Sequence, residues 1–295
     1  MAAPAPFSVT VHPFPSSTPR SCAYEYGPSG KTNALIFIGG LTAGPHSSSL
    51  PHHLAEGLAH SELGFGVWEF RMRSSYTGFG FSSVANDAAD TGAFVTYLRK
   101  LGKSKIVLMG LSTGSQDCLE YANRARSGGP EIDGYVLVSP VSDRETAAMM
   151  MPQEALDATI AAAQKMVDEG RKDDAMPQAA IPPIFPSPVT AYRWHSLAAA
   201  GGDDDYFSSD LDDATLSRTF GKVERPILIL PSENDESVPP TLDKAALLSR
   251  WLGACQEGIG SPESAVNPGA DHAVSVEASR EWLSDRVFRF LTSLS

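Results

Sequence analysis

A serine between two glycines near the middle of the chain has the spacing of an enzymatic nucleophile. The pentapeptide Gly-Leu-Ser-Thr-Gly at 110–114 follows an apolar run at 106–109 and leads into a helix-like segment at 116–123. Glycines two positions either side of a serine let a strand turn sharply into a helix, because larger side chains would strike the helix or a neighbouring strand. This context predicts an elbow that exposes the Ser112 hydroxyl, whereas a glycine-rich turn with a capping serine is the alternative.

A serine nucleophile needs a base within hydrogen-bond distance and an acid that orients the base. His272 lies in a turn ahead of the last predicted helix, and Asp235 lies in the loop after the seventh predicted strand. Serine, acid and histidine then follow one another in the chain order typical of an α/β-hydrolase fold. His272 is the predicted base, with a solvated loop histidine as the alternative. Asp235 is the predicted acid, and Glu233 and Glu236 are its rivals.

The turn after the third predicted strand is the expected source of an oxyanion hole. A continuous apolar run at 33–38 ends in Gly-Gly-Leu at 39–41, a pattern typical of a buried strand followed by an exposed backbone turn. We predict that the amide of Leu41, with Gly40 as the neighbouring possibility, binds an oxyanion together with the amide of Thr113. An ordinary strand-to-helix turn is the alternative.

The order of apolar runs predicts the fold class. Strand patterns alternate with helical ones, which favours a mostly parallel central sheet flanked by helices, with an antiparallel edge at the amino-terminal end. The strand patterns lie at 7–14, 22–26, 33–38, 66–70, 105–111, 135–138 and 226–230, and helical patterns at 50–58, 86–100, 116–123 and 276–294. The prediction is an α/β-hydrolase fold.

A long segment between the sixth and seventh predicted strands interrupts this alternation. The segment at 145–221 contains three consecutive methionines, a helical stripe, a proline-rich turn and an acidic run at 203–213. We predict that it is a helical cap that forms an adaptable roof over the nucleophile, while 1–144 and 222–295 form the hydrolase core. We call 145–221 the cap segment.

Five residues outside the triad are candidates for substrate contact. Arg73 and Tyr76 follow the fourth predicted strand in a loop that should border the pocket, and structural anchoring is the alternative for both. Met150 is an adaptable apolar residue of the cap segment, with core filling as its alternative. Asp204 and Asp205 belong to the acidic run, and a solvated loop with capping aspartates is their alternative.

Composition limits the classes of partner and compartment. The net charge of −12 and a pI near 5.0 argue against nucleic acid or an anionic membrane as the main partner. Three cysteines without a CxxC pair make a disulfide framework and structural zinc unexpected, so a reducing compartment is favoured. The stretch before Arg20 has no continuous apolar segment, and we expect no secretory signal, no membrane span and a cytoplasmic location.

Six stretches resemble the α/β-hydrolase family to which the fungal siderophore esterases belong. The stretches lie at 73–80, 110–114, 140–145, 191–193, 203–210 and 235–239. The acidic Asp-Asp-Tyr-Phe-Ser-Ser-Asp and the Val-Ser-Asp-Arg-Glu sequences are the parts specific to this group. The resemblance implies a serine esterase that opens iron-loaded, fusarinine-type hydroxamate siderophores inside the cell. The expected partner is thus a small-molecule ester, and no metal or organic cofactor is required.

The resemblance also gives the acidic run a possible role. Free amino groups would make an unacetylated siderophore cationic, and the aspartates at 203–213 would attract it. Two other functions remain open at this point. One is hydrolysis of another ester or thioester, such as a lipid or an acyl-CoA. The other is a non-catalytic binding protein that keeps the hydrolase fold.

Overall fold

A seven-stranded sheet forms the centre of the computed structural model, which describes residues 6–185 and 187–294. Its strands are β1 (Val9–Pro13), β2 (Cys22–Tyr26), β3 (Asn33–Ile38), β4 (Phe65–Phe70), β5 (Ile106–Leu111), β6 (Gly134–Val138) and β7 (Ile227–Leu230). The spatial order is β1-β2-β4-β3-β5-β6-β7. Strand β2 pairs antiparallel with β1 and β4, and every pair from β4 to β7 is parallel. The predicted mostly parallel sheet with an antiparallel edge is confirmed.

Helices cover both faces of the sheet. The α-helices are α1 (Leu50–Ala59), α2 (Val84–Lys100), α3 (Thr113–Ala122), α4 (Arg124–Ser127), α5 (Asp143–Met150), α6 (Gln153–Asp168), α7 (Ala191–Ala198), α8 (Asp213–Thr219), α9 (Lys244–Ala254) and α10 (Glu277–Ser293). Short 3-10 helices lie at Tyr76–Phe81, Gln178–Ala180 and Phe220–Lys222. None of the helices within 6–185 and 187–294 has the length and apolar composition needed to cross a bilayer.

A separate hydrophobic cluster lies on each face of the sheet. Along β3, Leu35 and Phe37 pack with α1 and α10 on one face, while Ile36 packs with α2, α3 and α9 on the other. Successive side chains of a strand point to opposite faces, so a strand covered on both sides needs apolar residues at every position. This explains the continuous apolar runs, and it makes the centre of the sheet a rigid support for the loops at its edge.

The limits of the predicted elements differ from the observed ones by a few residues. Helix α2 begins at Val84 rather than at Asn86, because the Ser83 side chain accepts a hydrogen bond from the Asn86 amide and caps the helix earlier. Strand β1 begins at Val9, and Phe7 stays outside it with 42% of its surface exposed.

The first part of the cap segment forms a small helical layer. Helices α5, α6 and α7 pack against one another around a cluster that includes Leu156, Ala163 and Trp194. The Trp194 indole also donates a hydrogen bond to the Thr159 hydroxyl at 3.0 Å. This cluster is separate from the two clusters of the sheet, and Phe79 from the segment after β4 completes it.

The second part of the cap segment packs into the main core. Tyr206, Phe207 and Phe220 lie in the cluster that covers the α2, α3 and α9 face of the sheet. The Phe207 ring lies 5.3 Å from the Trp251 ring of α9, measured between centroids. The acidic run is therefore anchored to the body of the protein by its own aromatic side chains.

Two aspartates of the acidic run have internal partners, which corrects their predicted role in substrate contact. Arg193 donates to both carboxylate oxygens of Asp204, at 2.8 and 2.6 Å, and the Ser196 hydroxyl donates to one of them at 2.5 Å. Both Asp204 and Arg193 are almost completely buried. The buried Asp205 carboxylate pairs with Arg144 at 3.2 Å. The charge of each aspartate is compensated within the protein.

Replacing Asp204 with asparagine should lower the free energy of unfolding by about 3 kcal/mol, because it removes the carboxylate that pairs directly with the buried Arg193. Asp203→Asn is the matched control, since the Asp203 carboxylate is exposed and, among the described residues, accepts only from the Tyr192 hydroxyl. We expect the control to change stability by less than about 1 kcal/mol. Urea denaturation of the two variants measures the difference, and equal midpoints would contradict a structural role for Asp204.

Candidate active site

Ser112 lies at the sharp turn between β5 and α3. Its backbone has φ 57° and ψ −125°, a conformation that costs of order 1–3 kcal/mol for a residue with a side chain. A Cβ at Gly110 would lie 2.0 Å from the Gly114 carbonyl oxygen, and one at Gly114 would lie 2.3 Å from the Ile38 carbonyl oxygen. Only glycine fits at either position, as the elbow interpretation predicts.

The structure brings Ser112, His272 and Asp235 into one hydrogen-bonded chain. The distance from Ser112 Oγ to His272 Nε2 is 2.9 Å, and His272 Nδ1 lies 2.9 Å from both carboxylate oxygens of Asp235. The Ser237 amide donates to Asp235 Oδ1 at 2.9 Å and holds the carboxylate in place. With Nδ1 protonated towards Asp235, Nε2 is free to accept the serine proton.

The surroundings of His272 favour its protonated form. Burial lowers the pKa of the imidazole, but the hydrogen bond and charge of Asp235, together with the charges of Glu236 and Asp143, outweigh burial and raise the pKa above its ordinary value. An imidazolium is therefore stabilised at the position where a proton arrives from Ser112.

The two rivals of Asp235 hold the loop that carries the histidine. Glu236 accepts a hydrogen bond from the His272 amide at 3.0 Å, and Glu233 accepts one from the Gly269 amide at 2.7 Å. Of the three acidic side chains, Asp235 is the one that contacts the imidazole. The other two connect the loop after β7 to the loop before α10, which fixes the position of the imidazole relative to its acid.

The turn after β3 lies directly beside the nucleophile. A Cβ at Gly40 would lie 2.8 Å from the Ser112 Cβ, so the backbone of this turn approaches the elbow as closely as glycine permits. Among the residues that the structure describes, no acceptor pairs with the backbone amides of Leu41 and Thr113. The Thr113 amide is also the first of α3, where the helix dipole favours negative charge. Both predicted donors are therefore free beside Ser112.

Tyr76 supports this turn and does not line the cavity that contains Ser112. Its amide donates to the Ala43 carbonyl at 2.9 Å, and its hydroxyl donates to the Pro45 carbonyl at 2.7 Å. Its ring covers Gly44, where a Cβ would lie 2.5 Å from the aromatic carbons. The structure thus makes Tyr76 a support of the turn after β3, which is the anchoring alternative, in place of a substrate contact.

Arg73 is likewise an anchor, the alternative that the sequence left open. Its guanidinium donates to Asp90 at 2.8 and 3.2 Å and to Asn86 at 3.0 Å, both on α2. The Arg73 amide donates to Asp90 as well, at 2.8 Å. These bonds fix the start of the loop after β4, and they direct the guanidinium away from the cavity.

The cavity beside Ser112 has a volume of about 460 Å³ and mostly apolar walls. The turn after β3, Ser112, His272 and the cap segment all contribute to it. Met150, a predicted substrate contact, is on its wall. The cap segment also supplies side chains that the sequence analysis did not single out, namely Ala147, Pro182, Ile184, Phe185, Trp194 and Leu197. The acidic residues Asp203, Asp205, Asp210 and Asp212 line a different groove, which contains neither Ser112 nor His272.

Asp143 is a polar wall residue that the sequence analysis missed. Burial, together with the charge of Asp204, raises the pKa of its carboxyl to about 7 despite a hydrogen bond from Gln116. The start of the helix that carries Asp143 could be predicted from the sequence, because Ser142 and Glu145 have the spacing of a capping box. A helix that begins directly after β6 places its first residue at the same edge of the sheet as Ser112.

Fold and site geometry together define an α/β-hydrolase with a serine, histidine and aspartate arrangement. The family described as "Protein of unknown function (DUF1749)" matches residues 1–292, and the chain belongs to this family. Of two relatives that match most of the chain, the one named a fusarinine C esterase confirms the resemblance to the family of fungal siderophore esterases. A UPF0613 protein of Schizosaccharomyces pombe is 32% identical over 88% of this chain and 86% of its own. Fusarinine C esterase sidJ of Aspergillus fumigatus is 31% identical over 90% of each chain.

Solved structures agree with these relatives. The siderophore hydrolase EstB of Aspergillus fumigatus superposes with a TM-score of 0.82 at 27% identity, over 98% of both chains. A monoglyceride lipase of Saccharomyces cerevisiae, at 13% identity and a TM-score of 0.63, shares the fold. These likenesses class the chain with the ester-hydrolysing enzymes of the α/β-hydrolase fold.

The raised pKa of His272 sets the expected pH dependence. A protonated imidazole cannot accept the serine proton, so kcat/KM for an uncharged ester should fall as pH decreases, with a midpoint above the ordinary 6.5. Glu236→Gln removes one of the charges that raise this pKa and should move the midpoint to lower pH. Glu233→Gln is the matched control, and it should leave the midpoint in place. A midpoint that is the same in all three proteins would contradict this electrostatic account.

Proposed function

We propose that the protein is a serine esterase that hydrolyses ester bonds of iron-loaded, fusarinine-type hydroxamate siderophores. The observation that carries the esterase is the contact of 2.9 Å between Ser112 Oγ and His272 Nε2, with Asp235 behind the imidazole. The siderophore substrate is supported by the relatives named fusarinine C esterase and siderophore hydrolase.

The arrangement supports acyl transfer in two steps. Ser112 Oγ attacks the ester carbonyl while His272 Nε2 takes its proton, and Asp235 stabilises the imidazolium. The amides of Leu41 and Thr113 bind the oxyanion of the tetrahedral intermediate. The imidazolium then protonates the leaving alcohol, and the same residue later activates the water that hydrolyses the acyl-enzyme. No step requires a metal or an organic cofactor, and the iron belongs to the substrate.

The cavity can bind one part of a substrate while the rest of that substrate lies outside it. Met150 and Ile184 lie on its wall with 44% and 58% of their surfaces exposed, so the apolar lining continues to the outside. One ester of a bulky molecule can then reach Ser112 while the remainder rests against this apolar rim. In this proposal the cap segment sets substrate size through its first part, helices α5 to α7. The three free cysteines fit the reducing, intracellular setting in which such a reaction would release iron.

The apolar lining also favours a second candidate, a hydrolase of another ester or thioester. A wall that includes Phe185, Trp194 and Leu197 suits an alkyl acyl chain as well as a macrocycle. Comparing kcat/KM for short acyl esters, long acyl esters, acyl-CoA and ferric hydroxamate esters separates the two candidates. Preference for the hydroxamate ester supports the siderophore, and preference for a long acyl chain refutes it.

Ser112→Ala should lower kcat by roughly 10³-fold or more while the fold is retained, because acyl-enzyme formation is lost. Ser49→Ala is the matched control, since Ser49 lines the same cavity and its hydroxyl makes no hydrogen bond within the described residues. The control should keep nearly full activity. Steady-state rates and circular dichroism of both variants provide the measurement, and turnover by Ser112→Ala equal to the unmodified protein would end the serine mechanism.

A further inference from the structure

Asp143 is the one acidic residue among the described residues that line the cavity beside Ser112. Within residues 6–185 and 187–294, no lysine or arginine lines this cavity, and His272 is its other titratable side chain. The remaining wall is apolar or carries hydroxyl groups. A carboxylate in such surroundings is costly unless a partner compensates its charge.

The protein holds this carboxylate in place and leaves part of it free. The buried Gln116 amide donates to Asp143 Oδ2 at 2.5 Å and is itself fixed by a bond of 3.1 Å to the Asp204 carbonyl. Asp143 Oδ1 accepts no hydrogen bond from the residues that the structure describes. One oxygen is therefore preorganised by the protein, and the other is available to a ligand in the cavity.

The first turn of α5 favours a negative charge at Asp143, but the cap of this helix does not depend on its carboxylate. Ser142 already caps α5, because its hydroxyl accepts from the Glu145 amide at 3.0 Å. The neighbouring Arg144 pairs with Asp205 and Asp210, and Arg193 is bound directly to Asp204. No cation of the described chain makes an ion pair with Asp143, which agrees with the raised pKa of its carboxyl.

We propose that Asp143 binds an ammonium group of the ester substrate and thereby selects esters that carry a cationic amine. This inference rests on the proposed esterase function and names the substrate class of that site. The ammonium would supply the counter-charge that the cavity wall lacks, and it would donate a charge-assisted hydrogen bond to Oδ1. Asp143, Ser112 and His272 line the same cavity, so the amine would occupy the cavity that also holds the ester.

Binding of a simple ammonium ligand tests Asp143 independently of turnover. Titration calorimetry compares hexylammonium with the uncharged hexanol, using the unmodified protein, Asp143→Asn and the control Asp203→Asn. Asparagine keeps the size of the side chain and can still accept from Gln116. The preference for hexylammonium over hexanol should fall by about ten- to a hundredfold in Asp143→Asn, and it should persist in Asp203→Asn. In the unmodified protein alone, equal affinity for the two ligands would overturn the proposal.

Turnover of a matched pair of esters completes the test. The two esters share the acyl and leaving groups and differ only in a primary ammonium replaced by a hydroxyl. Asp143→Asn also removes one of the charges that raise the pKa of His272, and this change affects both esters alike. The ratio of kcat/KM for the cationic ester to that for the neutral ester should therefore fall by about ten- to a hundredfold. An unchanged ratio of the two values would overturn the role of Asp143. Absence of turnover for both esters, with ammonium binding through Asp143 intact, would instead refute the proposed esterase while the ammonium site stands.

Discussion

The strained backbone of Ser112 is the constraint on which the rest of the structure depends. A residue with φ 57° and ψ −125° persists only where its surroundings hold it there. Gly110 and Gly114 allow that packing, because any Cβ at these positions would meet backbone atoms at 2.0 to 2.3 Å. The sheet supplies the rigidity, since β5 lies between β3 and β6 and is buried along its whole length. The strained backbone of the elbow is thus held by a strand that is fully buried in the sheet.

Three loops at one edge of the sheet meet at this elbow, and each is fixed by contacts of its own. The loop after β7 presents Asp235, and its glutamates hold the backbone of the histidine loop at Gly269 and His272. The turn after β3 is covered by Tyr76, which bonds to carbonyls on that turn. Because the supporting bonds go to backbone groups, they hold the site in the same geometry whichever substrate occupies the cavity. The cavity wall can then vary while the triad stays in place.

The parts of this arrangement that were predictable from the sequence are those that local pattern determines. The elbow, the strands and the order of Ser112, Asp235 and His272 follow from apolar runs, glycines and turn positions. The sequence left two roles open for Arg73 and did not reveal the role of Asp204, because their partners Asp90 and Arg193 are brought to them only by the three-dimensional fold. Charge in a sequence does not reveal whether a carboxylate faces solvent or an internal cation. The position of Asp143 in the cavity could not be predicted from the sequence for the same reason. Its role depends on the apolar walls around it, which the cap segment and the core form together.

Labelling with a fluorophosphonate, followed by peptide mapping, tests most directly whether Ser112 is an activated nucleophile. The reagent reacts with serines whose hydroxyl is deprotonated by a neighbouring base and whose oxyanion site is formed. The account predicts one covalent adduct, on the peptide that contains Ser112, and loss of that adduct when His272 is replaced by alanine. A native, folded protein that remains unlabelled, or one that is labelled on a serine outside the elbow, would contradict it.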